Sequence, residues 1–165
     1  MTIELHDFNP LNALTKITKL ELGNKTWSKE NNVHYGLAKS LILNSMSKLQ
    51  YLDITNHHAL PLLEINGCSQ LEELYMSGTD ALTEVVLPKT KTLHTIHFGE
   101  SIKILKLDDL VGIKDVKFDG YSNLVEFSAK NCSDYIKKET LSLDIIKTTL
   151  DSEEVDIKGW FITKE

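Results

Sequence analysis

Several features that mark common protein classes are rare or missing in this sequence. Only two of its 165 residues are cysteines, Cys68 and Cys132, and neither stands in a CxxC pair or a zinc-ligand spacing. A disulfide framework is therefore not indicated, and neither is a zinc site. No stretch approaches the ~18 consecutive apolar residues of a membrane span, and residues 1–10 do not combine a basic region with an apolar one, as an export signal does. We expect a chain that does not insert into membranes.

An excess of positive charge is missing too. The formal net charge is −6, and lysines are interspersed with aspartates and glutamates along the chain, whereas binding to a phosphate backbone requires a basic stripe. The sequence also lacks the GxGxxG, P-loop, GxSxG and HExxH motifs that carry common cofactor and catalytic sites. These absences argue against nucleic acid as a partner, against an enzyme and against a bound cofactor.

The composition that remains is that of an ordinary globular protein. Hydrophobic residues make up 41% of the chain and charged residues 25%, which excludes a disordered or collagen-like chain. A chain of 165 residues is long enough to bury one sizeable core. We therefore expect a single domain over residues 1–165.

A six-residue phrase, apolar-x-x-apolar-x-apolar, recurs along the chain. Its starts lie eleven residues apart, except for one nine-residue step between Leu93 and Ile102. Upstream, AKSLIL (38–43) keeps the same step, and ITKLEL (17–22) precedes it by about one double unit. Regular repetition of this kind indicates a solenoid. The eight main copies are LQYLDI (49–54), LPLLEI (60–65), LEELYM (71–76), LTEVVL (82–87), LHTIHF (93–98), IKILKL (102–107), IKDVKF (113–118) and LVEFSA (124–129).

Each phrase is typical of a short β-strand whose fourth and sixth positions point inward, because side chains alternate faces along a strand. Turn-forming residues fill the gaps, as in NGCSQ (66–70) and DGYSN (119–123). One strand per coil would enclose too little space for Leu and Phe, whereas two eleven-residue units give the roughly 22 residues of a compact leucine-rich-repeat coil. The sequence predicts a mainly β, leucine-rich-repeat-like parallel β-solenoid with two sheets back to back.

The two ends depart from the repeat and predict caps, which a repeat stack needs to protect its edges. We expect an N-terminal cap and insertion at 1–37, the repeat stack at 38–134 and a C-terminal cap at 135–165. The C-terminal cap reads as a helix through about Leu150, a strand at 155–157 and an aromatic plug from Trp160 and Phe161.

The ninth position of each unit holds mostly small polar residues, which suit hydrogen bonding to corner backbone. On this interpretation Cys68 and Cys132 are buried structural thiols three coils apart, too far for a disulfide. These positions are His57, Cys68, Thr79, Thr90, Ser101, Leu110, Tyr121 and Cys132.

Two groups of titratable residues raise a catalytic or metal-binding alternative. The histidines His57, His58, His94 and His97 include an HTIH sequence, but an i, i+3 spacing does not align two side chains on a strand as it does on a helix. The adjacent Asp108 and Asp109 follow a strand end, where a solvated corner is the commoner role than acid–base chemistry. We expect corner or surface roles for both groups, with no metal.

Positions three and five of alternate phrases should form two outward faces. The first contains our candidate partner-binding residues Tyr51, Asp53, Glu73, Tyr75 and His97, and it continues with Thr95, Asp115 and Lys117; tyrosines are enriched in recognition surfaces. The opposite face carries Leu62, Glu64, Glu84, Val86, Ile104, Lys106, Glu126 and Ser128. Its three aliphatic residues either contact a neighbouring subunit or are ordinary surface residues.

The polar segment 23–36, GNKTWSKENNVHYG, replaces one expected phrase and carries Trp27 and Tyr35. Insertions on one face of a solenoid often bind partners, so these two aromatic residues are further binding candidates. An extended loop without a binding role is the alternative.

The run from Ile65 to Ser133, with its GCSQL, LPKTKTL and GYSNL…NC phrases, resembles leucine-rich-repeat-like segments of tail and virion proteins from gut bacteriophages. The resemblance covers roughly residues 38–135, and more loosely 11–162. It implies a non-enzymatic virion module that contacts a host-surface receptor, a partner protein or other virion subunits. Because bacterial surface proteins use similar repeats, an extracellular adhesin or a protein-interaction scaffold is the alternative.

Overall fold

The computed structural model describes residues 8–22, 40–118 and 126–133. A short 3₁₀-helix, Asn9–Ala13, precedes a series of brief strands. The strands are β1 (Lys19–Glu21), β2 (Leu41–Ile42), β3 (Tyr51–Asp53), β4 (Leu62–Glu64), β5 (Glu73–Tyr75), β6 (Glu84–Val86), β7 (Thr95–Phe98), β8 (Ile104–Lys106), β9 (Asp115–Phe118) and β10 (Glu126–Ser128). From β2 onward, each strand falls within one copy of the phrase.

These strands form two parallel five-stranded sheets. Sheet A has the order β1-β3-β5-β7-β9, and sheet B has the order β2-β4-β6-β8-β10. Successive phrases therefore alternate between the sheets, and two phrases complete one coil. In sheet A, Tyr51 lies opposite Glu73 and Glu73 opposite Thr95, so each residue pairs with the one that stands two phrases further along the chain. The structure confirms the predicted parallel β-solenoid, with two phrases in every coil.

The core lies between the two sheets and is built from the first, fourth and sixth positions of the phrase. In the phrase that contains β3, Leu49, Leu52 and Ile54 are all fully buried. The alternation of a strand sends the intervening side chains outward, so each phrase contributes about three apolar residues to a continuous interior. The predicted core residues Leu74, Val85, Ile96, Leu105 and Val116 are all buried, which confirms the assigned register.

The single nine-residue step has a local cause at the corner after β7. Five residues, 77–81, connect the phrase of β5 to the next one, whereas only Gly99, Glu100 and Ser101 follow the phrase of β7. A methyl group at Gly99 would come within 2.6 Å of the Thr79 hydroxyl oxygen and 2.9 Å of the Met76 carbonyl oxygen. Glycine at this position lets the shortened corner lie tightly on the corner of the preceding coil.

The position of ITKLEL corrects one detail of the sequence interpretation. Its distance from AKSLIL, about one double unit, predicts one whole coil, which would place both phrases in the same sheet. Instead, Lys19 of β1 lies opposite Tyr51 in sheet A, whereas Leu41 of β2 lies opposite Leu63 in sheet B. The two phrases are therefore half a coil apart, and no phrase is missing between β1 and β2.

The 3₁₀-helix lies against the first strand of sheet B. Asn12 donates its side-chain amide to the Ile42 carbonyl oxygen at 2.8 Å and accepts from the backbone N–H groups of Asn44 and Ser45 at 2.9 and 3.3 Å. Phe8, only 5% exposed, packs edge-on against the His57 ring. One side chain, that of Asn12, thus satisfies backbone groups that an edge strand leaves unpaired.

Some sequence predictions lie outside the described residues. These are Trp27, Tyr35 and Tyr121, the proposed C-terminal cap from 135 onward with its helix and strand, and the side chain of Glu126. Among the residues that are described, no helix has the length and apolar character to cross a membrane.

Candidate functional site

The outward face of sheet A consists of two straight columns of side chains. The parallel register places Lys19, Tyr51, Glu73, Thr95 and Asp115 in one column. The second column contains Glu21, Asp53, Tyr75, His97 and Lys117. Because neighbouring strands lie about 4.8 Å apart, each side chain is within reach of its neighbours along and between the columns.

Aromatic rings form a continuous row across three strands of this face. The ring centroids of Tyr51 and Tyr75 are 5.3 Å apart with the planes tilted by 38°, and those of Tyr75 and His97 are 4.8 Å apart in an edge-to-face arrangement. Such ring pairs contribute about 0.5–1.5 kcal/mol each beyond simple burial. We call these three residues, together with Lys19 and Asp115 at the ends, the aromatic row.

Charged side chains hold both ends of the aromatic row. The Lys19 ammonium lies 4.5 Å from the centre of the Tyr51 ring and forms a 2.9 Å ion pair with Glu21. At the other end, His97 Nε2 lies 3.3 Å from an Asp115 carboxylate oxygen. A carboxylate therefore contacts each end of the row, Glu21 at Lys19 and Asp115 at His97.

A further hydrogen bond fixes the central ring. Tyr75 donates its hydroxyl to a Glu73 carboxylate oxygen at 2.7 Å. This bond, followed by partial burial, raises the pKa of Tyr75 well above its usual range, because ionisation would place a phenolate beside a carboxylate. At the first strand, the hydrogen bond to Glu21 raises the pKa of Lys19. Both groups keep their protons at neutral pH.

The structure brings the sequence-predicted candidates Tyr51, Glu73, Tyr75 and His97 together as partly exposed neighbours. Asp53 differs from the expectation of an exposed side chain, because it is only 9% exposed. Its carboxylate accepts a 2.8 Å hydrogen bond from the backbone N–H of Thr55. Asp53 therefore stabilises the end of β3 and offers little surface to a partner.

Lys19 is the member of the row that sequence reasoning missed. It occupies position three of ITKLEL, the same position as Tyr51 in its own phrase. The signal was present in the sequence, but the spacing of one double unit assigned that phrase to the other sheet. Once β1 is placed in sheet A, the strand order puts Lys19 beside Tyr51.

The outward face of sheet B differs in character. Leu62, Glu84 and Ile104 follow one another in one column, whereas Ile42, Glu64 and Val86 form the other. Apolar and acidic side chains thus alternate along each column. Val86 is 37% exposed, and Leu62 and Ile104 are partly buried. This face has scattered aliphatic residues and does not form one apolar patch.

His57, His58 and the two cysteines occupy structural positions. His58 lies 2.7 Å from an Asp80 carboxylate oxygen at a corner, and His57 is 2% exposed. Burial raises the pKa of the Cys68 thiol to about 12, so this group is not a ready nucleophile. Cys68 and Cys132 are both buried thiols, not half-cystines. Within 8–22, 40–118 and 126–133, no three His, Cys, Asp or Glu side chains are placed to hold a metal ion.

Several ninth-position side chains bond to corner backbone, as the sequence predicted. Thr79 donates its hydroxyl to the Met76 carbonyl oxygen at 2.7 Å, and the Cys132 thiol contacts the Ala129 carbonyl oxygen at 3.1 Å. Thr90 donates to the Ser69 carbonyl oxygen at 2.9 Å, and its neighbour Thr92 donates to that of Leu71 at 2.7 Å. The two bonds from Thr90 and Thr92 join neighbouring coils and help to make the face of sheet A a fixed surface.

The arrangement in sheet A is therefore a preordered surface with rings, hydroxyls and carboxylates in registered positions. Comparison of the chain with protein-family models, with curated proteins and with solved structures found no match.

Proposed function

We propose that this protein is a non-enzymatic structural or binding module and that the outward face of sheet A contacts its partner. The aromatic row is the observation that carries the proposal. It combines two tyrosines, an imidazole and bonded carboxylates on one registered surface. Surfaces of this composition recur at the centres of protein interfaces.

The row suits recognition because little conformational entropy remains to be lost on binding. Tyrosine has two side-chain torsions, and the contacts with Lys19, Glu73 and His97 already restrict them. A preordered aromatic surface gives contact area at low entropic cost. The face is the outer side of a five-stranded sheet, which suits contact with a macromolecular surface, whereas a small molecule needs a concave site.

The biological setting proposed here is a bacteriophage tail or virion, in which the module serves assembly or recognition of a host-surface receptor. The resemblance of residues 65–133 to leucine-rich-repeat-like tail proteins supports this setting. The alternative is a leucine-rich-repeat adhesin on a bacterial surface or in the extracellular space, or a protein-interaction scaffold. A gene neighbourhood of other tail proteins would favour the first setting, and flanking domains with a membrane anchor would favour the second.

A paired set of variants tests which face binds. Tyr51→Ala with Tyr75→Ala removes two rings that point away from the core, so the circular dichroism spectrum should be retained while attachment to host cells or to the partner protein is lost. Val86→Glu with Ile104→Glu is the matched change on sheet B and should leave attachment intact.

Two other outcomes are informative. Loss of attachment or of virion incorporation only in the Val86→Glu/Ile104→Glu protein would show that sheet B is the docking face and that the tyrosines are not involved. If both folded double variants attach and assemble like the unchanged protein, neither face binds and the domain acts as a spacer.

A further inference from the structure

The corner between β4 and β5 contains an exposed asparagine followed by glycine. Asn66 and Gly67 are the only Asn–Gly pair in the sequence, and Asn66 is exposed at this corner. We propose that Asn66 is a site of spontaneous deamidation whose rate the folded corner holds in check.

The chemistry requires only water and a base. The backbone nitrogen of residue 67 attacks the side-chain carbonyl carbon of Asn66, a C–N bond forms, and ammonia leaves as the five-membered succinimide closes. Water then opens the ring at either carbonyl and gives aspartate or isoaspartate. Net, one water is consumed and one ammonia released, with no oxidation or reduction. Glycine favours the attack because it has no side chain to hinder its backbone nitrogen. Reactions of this kind make asparagine one of the thermolabile residues.

Glycine at position 67 is itself required by the fold. A Cβ atom there would overlap the backbone of Asn44 in the neighbouring coil. The close packing of successive coils thus places the residue that makes Asn66 reactive directly after it. The reactive pair is a consequence of coil stacking.

Hydrogen bonds in the folded corner engage both reacting groups. Gly67 donates its backbone N–H to the Leu43 carbonyl oxygen at 3.2 Å. Asn66 donates its side-chain amide to a Glu64 carboxylate oxygen at 2.8 Å. The attack requires the nitrogen and the side chain to leave these partners, so we infer that ring closure proceeds from locally opened corners.

The chain contains an internal comparison at the same corner one coil earlier. The register places Ile42 opposite Glu64, so Asn44 corresponds to Asn66 and Ser45 to Gly67. Both asparagines are exposed, but the serine side chain hinders the equivalent attack. Asn44 should therefore be far less reactive than Asn66, even where neither residue is held by the fold.

Isoaspartate at position 66 would alter the stack of coils. It adds one carbon to the main chain at a corner that is packed on Asn44, and it adds a carboxylate close to Glu64. Both changes oppose the pairing of β4 with β2, and the corner can no longer close as before. Deamidation should therefore loosen the first coils of sheet B.

The test is a time course of isoaspartate at positions 66 and 44 by peptide mass spectrometry at mildly alkaline pH. The folded protein, the protein in concentrated urea and a folded Asn66→Gln variant are incubated in parallel, because glutamine cyclises much more slowly. We expect isoaspartate to form at position 66 in urea and to form there several-fold more slowly in the folded protein. Little should form at position 44, and none should form at position 66 of the variant.

A second pair of variants tests the tether to Glu64. Glu64→Ala should raise the folded-state rate several-fold, whereas Val86→Ala, at the equivalent position one coil later, should not. Equal rates in the folded and unfolded protein would overturn the protection. Absence of isoaspartate at position 66 in urea, or equal amounts at 44, would overturn the site itself.

Discussion

Leu105 and Val86 lie on neighbouring strands of sheet B, but their side chains point in opposite directions. Leu105 is 1% exposed in the core, and Val86 is 37% exposed on the outer face. Leu105→Ala should lower the free energy of unfolding by about 2–5 kcal/mol, because it leaves a cavity between the sheets. Val86→Ala should change it by less than about 0.5 kcal/mol. Urea unfolding followed by circular dichroism measures both, and a small effect at Leu105 would contradict the register.

His57 gives the protein a pH dependence of stability with a definite sign. The side chain is 2% exposed, and burial lowers its pKa from the ordinary value of 6.5. In the unfolded chain the His57 imidazole binds a proton near pH 6.5, whereas the buried imidazole of the folded protein stays neutral at that pH. The contribution of His57 to the free energy of unfolding is therefore present above pH 6.5 and is lost as the pH falls below it. The free energy of unfolding should therefore decrease on acidification from about pH 7.5 to about pH 5.5.

A His57→Gln variant isolates this contribution from the other histidines. Its unfolding free energy, measured by urea titration at each pH, should fall less steeply over the same range than that of the unchanged protein. Parallel curves for the two proteins would show that His57 does not take part in the pH dependence.

Alternation along a strand predicts which way a side chain points, and it did so for Tyr51, Tyr75 and the core positions. It does not predict what covers an outward side chain. Asp53 occupies an outward position but is nearly buried and accepts a hydrogen bond from the Thr55 backbone. That outcome depends on the conformation of the turn after β3, which a repeat pattern does not encode.

At the level of elements, the short 3₁₀-helix Asn9–Ala13 closes the edge of β2 through a single side chain. Asn12→Ala would remove the bonds to the Ile42 carbonyl and to the N–H groups of Asn44 and Ser45. We expect a loss of about 1–2 kcal/mol, similar to the loss of a helix cap. Amide hydrogen exchange should become faster at Asn44 and Ser45 and stay unchanged at Met76.

The exposed Lys16→Ala is the control for this change. If exchange at Asn44 and Ser45 responds equally to both substitutions, Asn12 has no special role at the edge of sheet B.

The repeat phrase identified the strands of the regular region, their alternation between two sheets and the two-phrase coil. It failed where the spacing was irregular. ITKLEL differs from a regular phrase only in its distance to the next one, and that distance fits a whole coil as well as a half coil with a long corner. Only the pairing of Lys19 with Tyr51 distinguishes the two. The Asn12 contacts are likewise non-local and leave no periodic signal.

At the level of the whole molecule, the register predicts which deletions the fold tolerates. Removing residues 60–81 takes out one complete coil, so β3 and β7 become neighbours in sheet A and β2 and β6 in sheet B. Because each coil contacts mainly its neighbours, the shortened protein should fold with a retained β spectrum and lower stability. Circular dichroism and urea unfolding measure both properties.

Removing only residues 71–81 is the informative contrast. Every later phrase would move to the opposite sheet, so β6 would have to pair with β3 and β7 with β4, and strands of sheet A would be stacked on strands of sheet B. We expect this shorter deletion to lower stability more than the longer one does. The opposite order would contradict a two-phrase coil.

The direction of the hydrogen bonds determines how the molecule would respond to a pulling force. Bonds between strands of a sheet run across the strands, and here that direction is the long axis of the solenoid. Tension applied along the axis therefore loads the junctions between coils in series, and the weakest junction opens first. In sheet B, β6 and β8 are in register at a single position, Glu84 opposite Ile104, whereas β4 and β6 are in register at three. Under tension the solenoid should consequently separate first between β6 and β8, beside the shortened corner after β7. The paired rings of Tyr51 and Tyr75 would then stay together on the N-terminal side of the break.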